Sequence, residues 1–158
     1  MLLDILTNPN PILRKKSHHV NRILDPEIQK FIEDLKETML QKDGVGLAAR
    51  QVGRDEHIFV INVDSKIQTL INAKFLLKSF KQTEFEEGCL SVPEIYGMVK
   101  RPQSVIIKYY TEQGQLKIRK INGLEARVIQ HEYDHNRGIL FIDKVYQYTT
   151  GEELVNAK

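Results

Sequence analysis

The stretch that decides the fold is NGLEARVIQHEYDHNRG, residues 122–138. Its apolar and imidazole side chains recur at intervals of four, three and four: Leu124, Val128, His131 and His135. Such spacing places them on one face of a helix. Asn122, with Glu125 three residues later, resembles a capping box at the start, and Gly138 is typical of a residue just past the end. The sequence therefore predicts a helix that presents two histidines on its packed face.

Within this helix, residues 131–135 read HEYDH, an HExxH pattern. Two histidines four residues apart point the same way from consecutive turns, so both imidazoles can reach one metal ion. Glu132 lies beside the first histidine and can accept a proton from an attacking water. Two surface histidines on a polar helix are the alternative. The histidines continue the apolar face, however, and burying them without partners is costly, which favours the metal site.

A catalytic site of this type needs a third protein ligand and an open position. No histidine follows His135, and the later acidic residues are Asp143, Glu152 and Glu153. The best remaining candidate is Cys89 in EGCLSVP, residues 87–93, where glycine and proline indicate a shaped loop or strand end. A lone cysteine is also typical of an inert buried side chain, and the residues alone leave that alternative open.

A third segment, GVGLAARQ at residues 44–51, combines two glycines with small side chains. It indicates a loop in close backbone approach to another group. It lacks the GK[ST] of a P-loop and the spacing of GxGxxG. Taken alone, it also fits a plain loop after the preceding helix.

That preceding helix is predicted from Asp25-Pro26, where Asp25 can cap it and Pro26 suits its first position. One apolar stripe follows: Ile28, Phe31, Ile32, Leu35 and Met39. This spacing is typical of an amphipathic helix packed on one side, ending at Asp43-Gly44.

The middle of the chain predicts β-structure. Residues 57–63 form a short apolar run, and 71–80 form a weaker one that can run through a turn. Residues 104–111 and 115–121 flank a glycine-containing turn and predict a hairpin. Leu116 and Ile118 alternate with lysine and arginine, which predicts one buried and one solvated face.

Composition narrows the class of protein. The chain has 158 residues, 41% of them hydrophobic, a net charge of +2 and one cysteine. This fits a single domain, excludes disordered and disulfide-scaffold classes, and indicates a reducing compartment. The near balance of charge gives no general attraction to nucleic acid or acidic membranes. No apolar run approaches the ~20 residues of a membrane span, and the first residues do not resemble a signal peptide.

Together, the three segments GVGLAARQ, EGCLSVP and QHEYDH resemble, in this order, the signature motifs of the peptide deformylase family. PILRKKS (11–17), Arg101-Pro102, GLEARVIQ (123–130) and GILFID (138–143) are similar to that family as well. The resemblance and the pattern of elements predict an α+β fold. We expect one domain over residues 1–158, with antiparallel strands around a central HExxH helix, an N-terminal amphipathic helix, a core at 11–143 and a short polar tail at 146–158.

The resemblance implies a metal-dependent hydrolase that removes the formyl group from the N-terminal formyl-methionine of new polypeptides. It implies that Cys89, His131 and His135 bind one divalent ion and that Glu132 is the general acid and base. The developing oxyanion would be stabilised by the side-chain amide of Gln51 and the backbone N–H of Leu90.

The resemblance further implies an apolar pocket for methionine. Its expected lining is Val45, Leu124, Val128 and His131, with Gly46 approaching the substrate backbone. Glu87 and Arg101 resemble a structural acid–base pair near the cysteine. A solvent-exposed ion pair is the alternative.

The donor set suits zinc chemically, whereas the resemblance implies Fe²⁺ first and Zn²⁺ second, with Ni²⁺ or Co²⁺ also able to bind. The expected partners are formyl-methionyl nascent chains in a bacterial-type cytoplasm, with no membrane and no specific nucleic acid.

Two departures from the family stand out. Asn136 replaces the usual leucine, and TTGEELVNAK is not the long basic helix with which many members contact the ribosome, so docking by that route is not expected.

Two other functions compete with deformylation. One is a different metallohydrolase, such as a peptidase, but the missing downstream histidine and the presence of EGCLSVP argue against it. The other is a non-catalytic binding protein of the same family. Glu132, Gln51 and Cys89 are all retained, which argues against that as well.

Overall fold

Two antiparallel sheets pack against a central helix in the computed structural model, which describes residues 1–155. The larger sheet has the strand order β1-β2-β3-β6-β7. Its strands are β1 (Gly46–Ala48), β2 (Ile58–Val63), β3 (Lys66–Lys78), β6 (Ser104–Tyr110) and β7 (Leu116–Asn122). The smaller sheet is β4-β5-β8, formed by β4 (Gln82–Cys89), β5 (Val92–Pro102) and β8 (Val145–Thr150). The predicted α+β fold class is confirmed.

The first helix, α1, spans Pro26–Gln41, as its sequence signals predict. The Asp25 carboxylate accepts a hydrogen bond from the Glu27 amide at 3.0 Å, which caps the helix. Four residues of the predicted stripe are buried, and Ile28 is half-buried. They pack on one face of the larger sheet, against Leu47, Ile58 and Val60.

The second helix, α2, spans Gly123–Asn136 and contacts both sheets. It buries Ala126, Val128 and Ile129 against the opposite face of the larger sheet. The helix ends as predicted, with Gly138 just beyond it at a φ of 75°. Asn136, which replaces the leucine usual in the family, fixes the end of α2 to Ser17. Its backbone oxygen accepts a hydrogen bond from the Ser17 amide at 2.7 Å, and its side-chain oxygen accepts one from the Ser17 hydroxyl at 3.0 Å.

The predicted capping box at the start of α2 is wrong. The Asn122 side chain makes no capping hydrogen bond. Glu125 turns instead toward the larger sheet, where it accepts hydrogen bonds from Gln68 at 2.7 Å and Arg119 at 3.1 Å. These charged and amide donors outcompete a backbone cap.

The hairpin of β6 and β7 is confirmed, with Tyr110 opposite Leu116 and Gly114 in its turn. The prediction that Leu116 and Ile118 are buried is wrong, because their side chains are 48% and 59% exposed. Arg119 occupies the inward side of β7, where its guanidinium is held by Gln68 and Glu125. The apolar alternation therefore faces outward on an edge strand.

Several elements differ from the sequence expectation. The strand expected at 71–80 is the longer β3, while β4, β5 and β8 were not predicted. The segment expected as a loop at 44–51 forms β1 and a 3₁₀ turn at Ala49–Val52. In the polar tail, β8 pairs with β5, and one short helical turn, α3 (Glu152–Val155), follows as expected; residues 156–158 of that tail lie outside the described residues. Within residues 1–155, no helix is long and apolar enough to cross a lipid bilayer.

Candidate active site

The two HExxH histidines meet the single cysteine at the contact between α2 and the smaller sheet. The potential ligand atoms of Cys89, His131 and His135 all lie within 4.8 Å of one another. The Cys89 Sγ is 3.2 Å from the His135 Nε2, and the two imidazole rings are 5.1 Å apart. The α-helical i, i+4 spacing places both imidazoles on one side of α2, as the sequence pattern predicts, and the fold brings Cys89 to them, as the family resemblance implies.

Cys89 is positioned by the tight turn between β4 and β5. It is the last residue of β4 and pairs with Val92, the first residue of β5, across a two-residue turn. The motif EGCLSVP is therefore a hairpin end and not an open loop. A thiol at such a strand end has little freedom to move away from the histidines on α2.

His131 is oriented by a buried carboxylate. Its Nδ1 is 2.8 Å from the Glu87 Oε1, which fixes the ring and leaves Nε2 facing the cluster. Glu87 also accepts two hydrogen bonds from Arg101, at 2.7 and 2.9 Å. Both residues are buried, so the alternative of a solvent-exposed ion pair is wrong. Burial alone would raise the pKa of Glu87, but the hydrogen bonds from His131 and Arg101 outweigh it and hold the pKa well below its usual range.

The pKa of His135 is shifted well below its usual value, chiefly by complete burial and also by the nearby His131. A neutral imidazole keeps a lone pair available for a metal ion. Burial at this position therefore favours the protonation state that a ligand needs.

Glu132 lies between the cluster and strand β1. Its side chain is buried, its Oε2 has no hydrogen-bond partner, and its Oε1 is 3.9 Å from the His131 Nε2. Burial raises the pKa of Glu132 to about 7, although the nearby His131 opposes this shift. A carboxyl with such a pKa can both take and give a proton near neutral pH.

Gly46 on β1 allows this arrangement. A Cβ at Gly46 would lie 2.7 Å from the Glu132 Oε1 and 2.8 Å from its Cγ. The close backbone approach expected of GVGLAARQ is confirmed, and the group approached is Glu132.

Gln51, from the 3₁₀ turn after β1, is buried with its amide held at both ends. Its Oε1 accepts the Ala48 amide at 2.9 Å. Its Nε2 donates to the Ser91 Oγ at 3.1 Å and points toward the Cys89 Sγ at 3.5 Å. The –NH₂ group therefore faces the ligand cluster.

These groups line a cavity of about 430 Å³. Its walls include all the residues expected to hold methionine: Val45, Gly46, Leu124, Val128 and His131. Val128 is buried, whereas Val45 and Leu124 are about half exposed to solvent. Gln51, Cys89, Leu90 and Glu132 line the same cavity.

Sequence reasoning missed three polar residues that contact the site. Ser91 receives the Gln51 amide, Arg127 donates to Glu87 at 2.6 Å, and Asp134 accepts from Arg101 at 2.9 Å. All three lie inside the quoted motifs. An acid or arginine on the buried side of a predicted helix is itself a signal, because a buried charge needs a partner.

The donor set fits a single divalent ion. One thiol and two imidazoles are soft and borderline ligands that suit zinc and iron, and three protein ligands leave a position open for catalysis. A buried glutamate beside this set and an amide donor facing it complete the groups that amide hydrolysis requires. The fold and site thus define the class of metal-dependent hydrolases.

A family model described as polypeptide deformylase matches residues 2–150. The chain belongs to this family. It is 45% identical over 136 residues to the peptide deformylase of Pseudothermotoga lettingae, covering 86% of this chain and 78% of that protein. It is 43% identical to the peptide deformylase of Helicobacter hepaticus, covering 90% and 83% of the two chains.

Solved structures agree with this assignment. The peptide deformylase of Thermotoga maritima superposes with a TM-score of 0.89 at 38% identity, covering 92% of this chain and 98% of that one. A peptide deformylase from Synechococcus elongatus in complex with actinonin has the same TM-score at 37% identity, covering 98% and 82%. The deformylase interpretation is therefore confirmed, and the other metallohydrolase is not supported.

Proposed function

We propose residue roles for the reaction of this chain, a metal-dependent hydrolase that removes the formyl group from the N-terminal formyl-methionine of new polypeptides and releases formate. Cys89, His131 and His135 hold one divalent ion. When bound, the ion supplies Lewis-acid polarisation and promotes the deprotonation of water. Fe²⁺ is the first expectation for the native ion and Zn²⁺ the second, while Ni²⁺ and Co²⁺ are also accommodated by this donor set.

Glu132 moves the proton. Its carboxylate takes a proton from the attacking water and delivers it to the leaving nitrogen, so that formate and a free amine result. The position of Glu132 in the cavity wall, next to the proposed ligand His131, supports this role. The observation that carries the proposal is this buried, unpartnered carboxylate oxygen beside the Cys89–His131–His135 cluster.

Gln51 and the backbone N–H of Leu90 stabilise the developing oxyanion. The Gln51 Nε2 already points toward the Cys89 Sγ, and Leu90 follows the cysteine directly in the β4–β5 turn. Donors that are fixed before the reaction need no reorganisation when charge appears.

The methionine side chain enters the apolar part of the cavity, against Val45, Leu124 and Val128. Gly46 lets the substrate backbone pass close to β1. Glu87 and Arg101 contribute structurally, by holding the ring of His131. We place the enzyme in the cytoplasm, where newly made chains carry the formyl group, and treat residues 1–158 as one catalytic domain.

The test is formate release from a formyl-methionyl tripeptide after anaerobic loading with Fe²⁺, Ni²⁺ or Zn²⁺. The same peptide without the formyl group should yield no product. Glu132→Gln should retain the metal ion, measured by elemental analysis, but lose about 10²–10⁴ in kcat. Full activity in Glu132→Gln would overturn its role, and no formate release by the parent protein with any ion would overturn the proposed reaction mechanism.

A further inference from the structure

Arg127 is a buried arginine on α2 whose terminal nitrogens both donate to other elements of the protein. Its Nη1 is 2.6 Å from the Glu87 Oε2 and 3.2 Å from the Val99 carbonyl oxygen. Its Nη2 is 2.8 Å from the Thr83 carbonyl oxygen and 3.3 Å from the Thr83 Oγ1. Only 6% of Arg127 is exposed, although it borders the cavity. The guanidinium is therefore engaged by β4 and β5 and is not free to bind substrate.

The contact with Arg127 completes the hydrogen bonding of Glu87. The Oε1 of Glu87 is bonded to His131 Nδ1 and Arg101 Nη2. The Oε2 is bonded to Arg101 Nε and Arg127 Nη1. Four hydrogen bonds, two to each oxygen, use the whole accepting capacity of a carboxylate. The carboxylate cannot rotate away from His131 without breaking bonds to both arginines.

Arg101 is shared between two buried carboxylates. Arg101 does not serve Glu87 alone, because its Nη1 also donates to the buried Asp134 at 2.9 Å. A buried carboxylate that shares its cation with another carboxylate is held less firmly than one with a further charged donor of its own. Lys144 contacts Asp134 at 2.9 Å on the outer side, and Arg127 contacts Glu87 on the inner side.

We propose that Arg127 is a positioning residue for the metal centre. It acts through Glu87, by holding that carboxylate in place on His131 Nδ1, so that the His131 Nε2 stays directed at the ion. This inference rests on the proposed role of His131 as a ligand. It adds a second arginine to the Glu87–Arg101 pair and gives that arginine a function in metal affinity.

The test measures Zn²⁺ affinity by competition with a chromophoric chelator. Arg127→Met removes the guanidinium but keeps an unbranched apolar side chain, and it should weaken Zn²⁺ binding about 10–100-fold, the usual cost of losing an outer-shell partner. Arg127→Lys keeps the positive charge but lacks the planar guanidinium with its several N–H donors. It should therefore bind Zn²⁺ more tightly than Arg127→Met and less tightly than the parent. It also serves as the second variant if Arg127→Met does not fold. Arg119→Met is the matched control, because Arg119 pairs with Gln68 and Glu125 away from the ligands, and its affinity should change less than about twofold.

A double-mutant cycle separates action through Glu87 from a general packing effect. In a Glu87→Gln background, Arg127→Met should weaken Zn²⁺ binding less than about twofold further. At saturating metal ion, the KM of Arg127→Met for a formyl-methionyl peptide should stay near that of the parent. A full loss in the Glu87→Gln background, an unchanged Zn²⁺ affinity in Arg127→Met, or an equal loss in Arg119→Met would overturn the proposal. If the parent protein itself bound no Zn²⁺, the ligand assignment would fail instead.

Discussion

Gln51, the proposed oxyanion donor, has an amide that is fixed by contacts within the protein. The Ala48 amide holds its oxygen, and the Ser91 hydroxyl accepts from its nitrogen. Removing one fixed oxyanion donor typically lowers kcat about 10²–10³-fold, and we expect this loss in Gln51→Ala with a formyl-methionyl peptide. Gln68→Ala is the control, because Gln68 bonds to Glu125 and Arg119 outside the cavity. Unchanged turnover in Gln51→Ala would rule out the oxyanion role.

The partly buried side chain of His57 should make the folded protein less stable at acidic pH. This effect is independent of the proposed metal ligands. Burial, and secondarily the charge of His19, lowers the pKa of His57 from 6.5 to about 4, and its Nε2 has no hydrogen-bond partner. Between these two values the unfolded chain binds the proton and the folded chain does not. Stability therefore falls as pH decreases through this window, by up to about 1.4 kcal/mol per pH unit.

The effect of His57 is measured by comparing how pH changes the free energy of unfolding of the parent protein and of His57→Gln. Metal-free parent protein should lose about 2 kcal/mol more free energy of unfolding between pH 7.5 and pH 5 than His57→Gln, which does not titrate there. Urea denaturation at both pH values measures the difference. Parallel losses in the two proteins would show that His57 titrates normally in the folded state.

The positions of some site residues could be predicted from the sequence, whereas the positions of others could not. His131 and His135 are four residues apart, so local helix geometry alone places them together. That Cys89 lies beside them was predicted from the resemblance to a family. Cys89 is more than 40 residues away in sequence, so local backbone geometry does not determine its position relative to the histidines. Arg127 and Asp134 were missed because their partners Glu87 and Arg101 lie on strands that the sequence pattern did not predict.

At the scale of elements, the close approach of β1 to α2 restricts the position of Glu132, the proposed proton-transfer group. Gly46→Ala would place a Cβ 2.7–2.9 Å from three atoms of Glu132, including its Cγ, so the side chain must shift as a whole. A displacement of about 1 Å can cost about 10²-fold in rate, and we expect a loss of that order in kcat. Bound Zn²⁺ should be retained, because the ligands are not displaced.

Gly123→Ala is the contrasting variant at the start of α2. A Cβ there meets no atom within 4 Å, but the φ of 64° is unfavourable for alanine. It should cost about 1–2 kcal/mol of stability and leave kcat within about twofold. Steady-state kinetics and urea denaturation on both glycine variants separate the two effects. Equal kcat in Gly46→Ala and the parent would contradict the proposed tight fit between β1 and Glu132.

The elements that the sequence predicts best are those with local signals. Helix α1 has a cap, a proline at its first turn and a continuous apolar stripe, and all three are present in the structure. Strand β4 reads QTEFEEGC and is largely exposed, so it has no apolar alternation to reveal it. It exists because β5 pairs along its length, a long-range contact that no local pattern contains. Strand β7 shows the opposite case. Leu116 and Ile118 alternate regularly with polar residues, but their side chains face solvent instead of the core.

At the scale of the whole molecule, the proposed ligands come from two elements, α2 and the smaller sheet, that pack against each other. His131 and His135 lie on α2, whose apolar side belongs to the core of the larger sheet. Cys89 ends β4 of the smaller sheet and packs with Val92 and Phe141 in a different cluster. A bound ion would therefore link α2 to the smaller sheet, and its binding energy would add to the stability of the folded state.

This connection predicts that metal binding stabilises the entire fold. At a Zn²⁺ concentration about 100 times the dissociation constant, a ligand that binds only the folded state adds about 2.7 kcal/mol. For a chain of this size, that corresponds to a Tm increase on the order of 5–10 °C, measurable by calorimetry with and without a chelator. Cys89→Ala should lose most of the increase, because the smaller sheet then contributes no ligand. Glu132→Gln should keep the increase, because it removes the proton-transfer group and leaves all three ligands in place. An equal Zn²⁺-dependent shift in Cys89→Ala and the parent would mean that the ion does not link α2 to the smaller sheet through this thiol.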